Sequence, residues 1–392
     1  MTQSSGTPVV AILDSHLACF RSVQLGVNNF SQAIAHWDLS ICPATDALAH
    51  IKRVRPKGIV LGPMHSLVFE AIQPLLRQVV GVCGFYGIER GVKFPNVDID
   101  DKQVGVMAAD DFLQKGFRDF AFLGIEGFTW SRDRQSGFTS RVQQRGFEIS
   151  SFEQQVASVS VFTDNVRSNP QPDLLSWLQN LPKPVALLAC HDPRAQVITQ
   201  LSAANGLNVP DDISVLGVDN DDLFCALSRP PLSSVAIPWE RAGFLAAELL
   251  HRIMQGEKIP PDQHLIKPTG IVERQSTDAM AVKDPDVRNA MRFIRANADR
   301  LINVDDVVHA GTLTRRTLER RFHDVLGYSP LEAIRRARLV RAKLLLSTTE
   351  FPVARVAQEC GFGQTSWFSK AFREVFDESP VAYRKRTSGN LR

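Results

Sequence analysis

The sequence has little of the chemistry that staples, metal sites or membranes require. Its six cysteines, Cys19, Cys42, Cys83, Cys190, Cys225 and Cys360, are scattered without a CxxC pair, and its histidines do not cluster. Neither a disulfide framework nor a metal site is expected, and no cofactor is implied. No apolar run approaches the roughly 20 residues of a membrane span. The polar start MTQSSGTP lacks the basic and then apolar regions of an export signal, so the expectation is a cytoplasmic protein. Enzyme signatures are missing too. No G-x-G-x-x-G opens a βαβ unit, and there is neither a P-loop nor a G-x-S-x-G elbow, which argues against an enzyme acting on sugars or nucleotides.

What is present is an ordinary globular composition, 44% hydrophobic and 22% charged, spread over 392 residues. That length exceeds one ordinary core and predicts two or three domains. The charge is divided unevenly. Residues 285–392 carry 20 Lys+Arg against 12 Asp+Glu, a net +8, and the preceding 284 residues carry 25 against 30, a net −5. A positive module on a mildly acidic body is the footprint of a protein that meets nucleic acid through one end.

The basic segment contains a repeat. FHDVLGYSP (322–330) returns as FREVFDESP (372–380), and Val304, Val307, Val308 and Leu313 have the same offsets as Val353, Val356, Ala357 and Phe362. Leu318 and Phe322 are matched, after one extra residue, by Phe368 and Phe372. Spacings of three and four place these side chains on one face of a short helix, followed by a turn and a second helix. Each copy therefore reads as a helix-turn-helix. Gly361 stands where the second turn needs a positive φ. Between the copies, Ser329, Pro330 and Glu332 predict an N-cap, a first helical residue and a complete capping box. The connecting helix so started is expected to run some 16 residues, about 24 Å, with Ile334, Ala337, Leu339, Ala342 and Leu345 or Leu346 on its core face.

Polar and cationic residues flank the apolar seam of each second helix. These are Arg315, Arg316, Glu319 and Arg320 in the first copy, and Gln364, Thr365, Ser366 and Lys370 in the second. Such side chains reach base edges and phosphates in the major groove of double-stranded DNA. With this order of elements and the closing Pro380-Val381-Ala382-Tyr383-Arg384, the segment resembles the AraC/XylS family of transcription regulators. Thr312 departs from that pattern, which has Gly before the apolar turn residue; Gly311 comes one place early, and a distorted first turn is expected.

Residues 8–275 alternate apolar runs with helical stretches. Strands are expected at 8–13, 37–41, 57–62, 79–83, 119–124, 185–190, 213–218 and 232–237. Near-continuous apolar strands between helices predict doubly wound parallel sheets covered on both faces, with a ligand site at the carboxyl ends of the strands. Polar residues gather there: Asp14, Ser15 and His16 after the first strand, His191 and Asp192 after VALLAC, and Asp219, Asn220, Asp221 and Asp222 after ISVLGV. Carboxylate and guanidinium groups bind vicinal hydroxyls of a sugar, and a ring such as Trp130 can cover its apolar face.

Through 95–124, SRDRQSGF (131–138), NVPDDISVLGVDND (208–221), 232–250 and GIVERQST (270–277), this body resembles the effector domain of the LacI/GalR regulators. The resemblance implies a two-lobed periplasmic-binding-protein fold. It also implies that Arg134 binds effector hydroxyls beside Asp219, with Asn220, His191, Asp14 and Trp130 around them; His191 stands where that family often has Asn. The domain order is then a sugar domain (1–278), a linker (279–286) and a DNA-binding domain (287–392). A LacI-like body with an AraC-like C-terminus is the layout of xylose-responsive regulators. It implies a sugar-dependent activator, with D-xylose as effector, a homodimer, and RNA polymerase as a partner. A repressor built from the same parts, or one answering another sugar, stays open at this point.

Overall fold

The computed structural model describes residues 7–14, 18–62, 66–82, 94–155, 172–278, 284–298, 300–349 and 351–388. The chain divides into two compact units, Met1–Ala281 and Val282–Arg392.

In chain order the first unit contains β1 (Val9–Asp14), α1 (Ala18–Phe30), β2 (Asp38–Pro43), α2 (Ala47–Val54), β3 (Gly58–Leu61), α3 (Ser66–Ile72), β4 (Val79–Val82) and β5 (Asn96–Ile99). It continues with α4 (Asp101–Gln114), β6 (Phe120–Ile125), α5 (Thr129–Gln143), β7 (Ile149–Gln154), α6 (Pro172–Asn180), β8 (Val185–Ala189), α7 (Asp192–Ala204), β9 (Ile213–Asp219) and α8 (Asp222–Leu227). It closes with β10 (Ser233–Ala236), α9 (Trp239–Met254), β11 (Gln263–Ile266) and β12 (Gly270–Val272).

These strands form two six-stranded sheets, ordered β11-β5-β4-β3-β1-β2 and β12-β10-β9-β8-β6-β7. Every pairing is parallel except that of β10 with β12. The parallel α/β lobes expected from the sequence are present, and each of the eight expected strands is found within a residue or two. The strands β5, β7, β11 and β12 were not expected. Three are only three or four residues long, and β7 (ISSFEQ) alternates polar residues on a half-exposed edge. None shows the apolar run by which the others announce themselves.

The chain crosses between sheets three times: after β5 into α4, after β10 into α9, and between β11 and β12. One apolar cluster runs through both lobes, joining Val10, Ile12 and Val60 to Phe122, Phe138 and Val235. Separate clusters cover the remaining face of each sheet. Every residue of β3, β4, β6 and β8 is buried, because helices lie on both sides.

Close contact of α4 with α5 has a local cause. A Cβ on Gly105 would lie 2.1 Å from the Arg134 carbonyl oxygen, and one on Gly137 would lie 2.0 Å from that of Lys102. Two glycines thus let the backbones touch, and the N-terminus of α4 comes to rest beside Arg134.

The second unit is helical: α10 (Pro285–Ala296), α11 (Val304–His309), α12 (Arg315–Leu326), α13 (Pro330–Thr348), α14 (Val353–Glu359), α15 (Thr365–Phe376) and α16 (Pro380–Ser388). Val304, Val307, Leu318 and Phe322 share one core with Ala333 and Ile334 from the start of α13. Val356, Ala357, Phe368 and Phe372 share another with Leu339, Ala342 and Leu346 from its end. One helix therefore serves two separate cores. Truncating Phe322 or Phe372, both fully buried, would cost about 3–5 kcal/mol.

Two expectations need correction here. At 19 residues α13 is longer than expected, about 28 Å. Its capping box is only half formed: Ser329 Oγ accepts from the Glu332 N–H, but the Glu332 carboxylate turns to Arg335 and Arg336. Two nearby guanidiniums compete better for a carboxylate than one backbone N–H. A complete box instead starts α11, from Asn303 and Asp306. The two turns differ as well. Gly361 has φ 73°, whereas Gly311 is absent from the positive-φ residues, so the first motif turns without a left-handed glycine. Among the described residues no helix is long and apolar enough to cross a membrane.

Candidate functional site

Arg134, on α5, is the hub of a polar cluster at the carboxyl ends of the second sheet. Its Nε donates to Asp101 Oδ1 at 2.7 Å and its Nη1 to the Cys190 carbonyl at 2.5 Å. Nη2 lies 3.6 Å from Asp219 Oδ1. The Arg134 side chain is 4% exposed, Asp101 8% and Asp219 20%. Asp219 is therefore the member of the three most open to a ligand. Its Oδ1 is buried and lacks a hydrogen-bond donor.

The electrostatics follow from this burial. Desolvation pushes the Asp101 carboxyl up to about 7, with Arg134 pulling the other way. Burial likewise lifts Asp219 to about 6, again opposed by Arg134. For Arg134 burial disfavours the charge, but Asp101 and Asp219 outweigh it and hold the guanidinium protonated. The cluster thus pairs one cation with two carboxylates that sit close to neutrality, and the donors left on Nη1 and Nη2 face an acceptor that is still unfilled.

Aromatic and amide groups surround it. The Trp130 ring lies 5.1 Å from the Arg134 guanidinium and 5.5 Å from the His191 ring. His191 precedes α7 and is 3% exposed. Burial, then Arg194 and Arg134, depress its basicity well below the usual range, so the imidazole is neutral. Asn220 is turned differently, its Oδ1 accepting from Arg274 Nη2 at 2.9 Å. Asp14 ends β1; its side chain, with Ser15 and His16, lies outside the described residues. From that same end of the first sheet comes Cys19, whose thiol is pushed up by burial first and by Asp219 next.

The structure thus brings Arg134, Asp219, Trp130 and His191 together. Asp101 was not singled out from the sequence. A pair of aspartates, Asp100 and Asp101, after an apolar stretch was the available signal. Asp100 caps α4 by accepting from the Gln103 N–H, and this frees Asp101 for Arg134.

In the second unit, Arg316 and Arg320 are exposed on α12 and have no ion pair or hydrogen bond among the described residues. Arg315 is different. It bridges Asp305 at 2.9 Å and Glu319 at 3.0 Å, so Arg315 and Glu319 are tied to each other and to α11. Gln364, which precedes α15 as its N-cap residue, and Thr365 and Ser366 on its first turn are exposed, and Lys370 stands 4.0 Å from Glu374 with its side chain 80% exposed. Beside them is Trp367, 71% exposed, which was not singled out from the sequence. Arg321 points the other way and fastens α12 to the start of α10 through Asp286 at 2.8 Å and Asp284 at 3.1 Å.

Two domain families match the chain: a periplasmic binding protein-like domain over residues 109–277 and a helix-turn-helix domain over residues 309–386. The chain is 30% identical over 386 residues to the xylose operon regulatory protein of Escherichia coli K12, covering 96% of each. It is 29% identical over 372 residues to the protein of that name in Haemophilus influenzae, covering 93% of this chain and 94% of the relative. A solved xylose-binding transcription activator, XylR, superposes with a TM-score of 0.79 at 27% identity, over 97% of this chain and 98% of that one. These relatives are regulators of transcription and not enzymes. The chain belongs to the family of xylose operon regulatory proteins, in which a periplasmic-binding-protein-like body is joined to a C-terminal helix-turn-helix DNA-binding unit.

Proposed function

We propose that this regulator binds D-xylose at the Arg134–Asp219 cluster and in that state activates transcription from promoter DNA held by α12 and α15. The observation that carries the reading is the unfinished pairing at this cluster. Arg134 retains planar donors and Asp219 a buried acceptor oxygen lacking a donor, and a vicinal diol can satisfy both at once. Trp130 and the neutral His191 supply the apolar and polar walls, and the similarity to xylose operon regulatory proteins and to a xylose-binding activator supports the choice of pentose.

On the DNA side, Arg316 and Arg320 in one motif, and Gln364, Thr365, Ser366 and Lys370 in the other, read two successive major grooves, about 34 Å apart. Arg315 and Glu319 brace the first recognition helix at its rim. The regulator works in the cytoplasm as a homodimer that recruits RNA polymerase.

The test is a thermal-shift series with a panel of pentoses and hexoses, followed by promoter binding with and without the active sugar. D-Xylose should raise the melting temperature selectively, by about 2.7 kcal/mol of added stability at a hundredfold excess over Kd. It should also tighten promoter binding, since a ligand shifts an equilibrium only as far as it prefers one state. A hexose acting alone would change the effector. Weaker promoter binding with sugar would make the protein a repressor.

A further inference from the structure

We infer that Asp192 is the positioning residue for Asp219, holding the turn after β9 in the one conformation that turns the Asp219 carboxylate toward Arg134. The inference rests on the reading of Asp219 as an effector ligand and adds the device that places it.

Two consecutive non-glycine residues in that turn have left-handed backbones: Asp219 at φ 103° and Asn220 at φ 52°. L-residues adopt this region at a cost, and persist there only where the surroundings over-determine them. The surroundings here are specific. Asp192, the first residue of α7, is fully buried. Its Oδ2 accepts from the Asp221 N–H at 2.7 Å, and its Oδ1 accepts from the Ser234 hydroxyl at 2.6 Å. Ser234 Oγ in turn accepts from the Asn220 N–H at 2.9 Å. Two successive backbone N–H groups of the turn are therefore fixed, one by Asp192 directly and one through Ser234.

The fold makes room for this carboxylate. A Cβ on Gly217 would fall 2.1 Å from Asp192 Oδ1, so the glycine two residues before Asp219 is there because a buried side chain occupies the space. From the far side, Arg274 donates to Asn220 Oδ1 and to the Leu232 carbonyl, each at 2.9 Å. Among the described residues Asp192 makes no hydrogen bond to Arg134 or to the Asp219 side chain; beyond the Asp221 N–H and the Ser234 hydroxyl, its Oδ2 accepts only from the Cys225 thiol, at 3.6 Å. It acts on the effector only through Asp219.

The role is geometric, which makes the conservative variant informative. An asparagine can accept from the Asp221 N–H with Oδ1 and donate to Ser234 Oγ with Nδ2, so Asp192→Asn keeps both anchors. Asp192→Ala loses both.

The experiment is calorimetric titration of D-xylose into the full chain for the parent, Asp219→Ala, Asp192→Ala, Asp192→Asn and the double variant Asp192→Ala/Asp219→Ala. Asp192→Ala should weaken binding at least tenfold, and Asp192→Asn should recover most of that loss. The double variant should bind no more weakly than Asp219→Ala alone, because a residue acting through Asp219 has nothing left to position. Ser234→Ala, which cuts only the link to Asn220, should show the same non-additivity and serves where Asp192→Ala does not fold. Parent-like binding by Asp192→Ala or Ser234→Ala, or losses that multiply with that of Asp219→Ala, would overturn the inference. If Asp219→Ala itself binds like the parent, or the parent does not bind D-xylose, the effector reading fails and the inference falls with it.

Discussion

The Arg134 guanidinium makes full hydrogen bonds to Asp101 and to a backbone carbonyl but stands 3.6 Å from Asp219 Oδ1. The two carboxylates beside one arginine thus have different jobs, and the variants should separate them. Asp219→Ala is expected to weaken sugar binding by more than tenfold while leaving the melting temperature nearly unchanged. Arg134→Ala should also destabilise the first unit by about 3–5 kcal/mol, because Asp101 is left buried without its partner. Calorimetry with D-xylose and urea melts on both variants provide the comparison.

Gly137→Ala tests the helix contact that brings Asp101 to Arg134. The added methyl would meet the Lys102 backbone at 2.0 Å, where no side chain can yield. A loss of about 1–3 kcal/mol in stability is expected, the cost of overpacking a rigid contact, together with weaker sugar binding. The same substitution at Gly116, which has open space but a φ of 84°, should cost about 1–2 kcal/mol from backbone strain alone and leave sugar binding intact.

His191 supplies a pH dependence with a definite sign. Burial, with Arg194 and Arg134, places its folded-state pKa well below the unfolded value near 6.5. Between those two values the unfolded chain binds more protons than the folded one, so stability rises with pH. The contribution is fully present above pH 6.5 and is lost as the pH falls below it. Asp101 and Asp219, raised to about 7 and about 6, act in the opposite sense over this range, so His191 is read by difference: in thermal melts from pH 8 down to 5, the stability of the parent relative to His191→Asn should fall on the acid side.

Pairing among the first motif's arginines orders their expected effects on DNA. Among the described residues Arg316 and Arg320 have no ion pair or hydrogen bond, so alanine at either should cost about 1–3 kcal/mol on promoter DNA and much less on random DNA. Arg315 is already engaged by Asp305 and Glu319, and Arg315→Ala should cost less than either. Anisotropy titrations on both DNAs, repeated across salt concentrations, check the order. Equal losses on the two DNAs would reassign a residue to phosphate contact.

Trp367 gives a further DNA prediction. A tryptophan 71% exposed beside Ser366 and Lys370 offers an apolar ring to thymine methyl groups. Trp367→Ala should weaken promoter binding at least fivefold, about 1 kcal/mol. Replacing thymine by uracil across the second half of the site should weaken the parent more than the variant.

Which parts of this protein were legible in its sequence follows from the range of the forces involved. Helix starts such as Ser329-Pro330, the seam of Phe322 and Phe372, and strands such as VALLA are local matters of periodicity and capping, and a single chain displays them. The basic end was equally plain, since net charge adds without regard to fold. Arg134 and Asp219 could be picked out by type, by place after a strand and by family pattern. Their partnership could not. Asp101 reaches Arg134 only because Gly105 and Gly137 let two helices touch, and Asp192 governs Asp219 only because β8, β9 and β10 lie side by side in one sheet. Likewise β11 pairs with β5 across more than 160 residues, and its QHLI run carries no strand signal of its own. Contacts between residues far apart in sequence are decided by packing, where the cost of burying a charge or a bare N–H depends on what the rest of the fold brings to meet it.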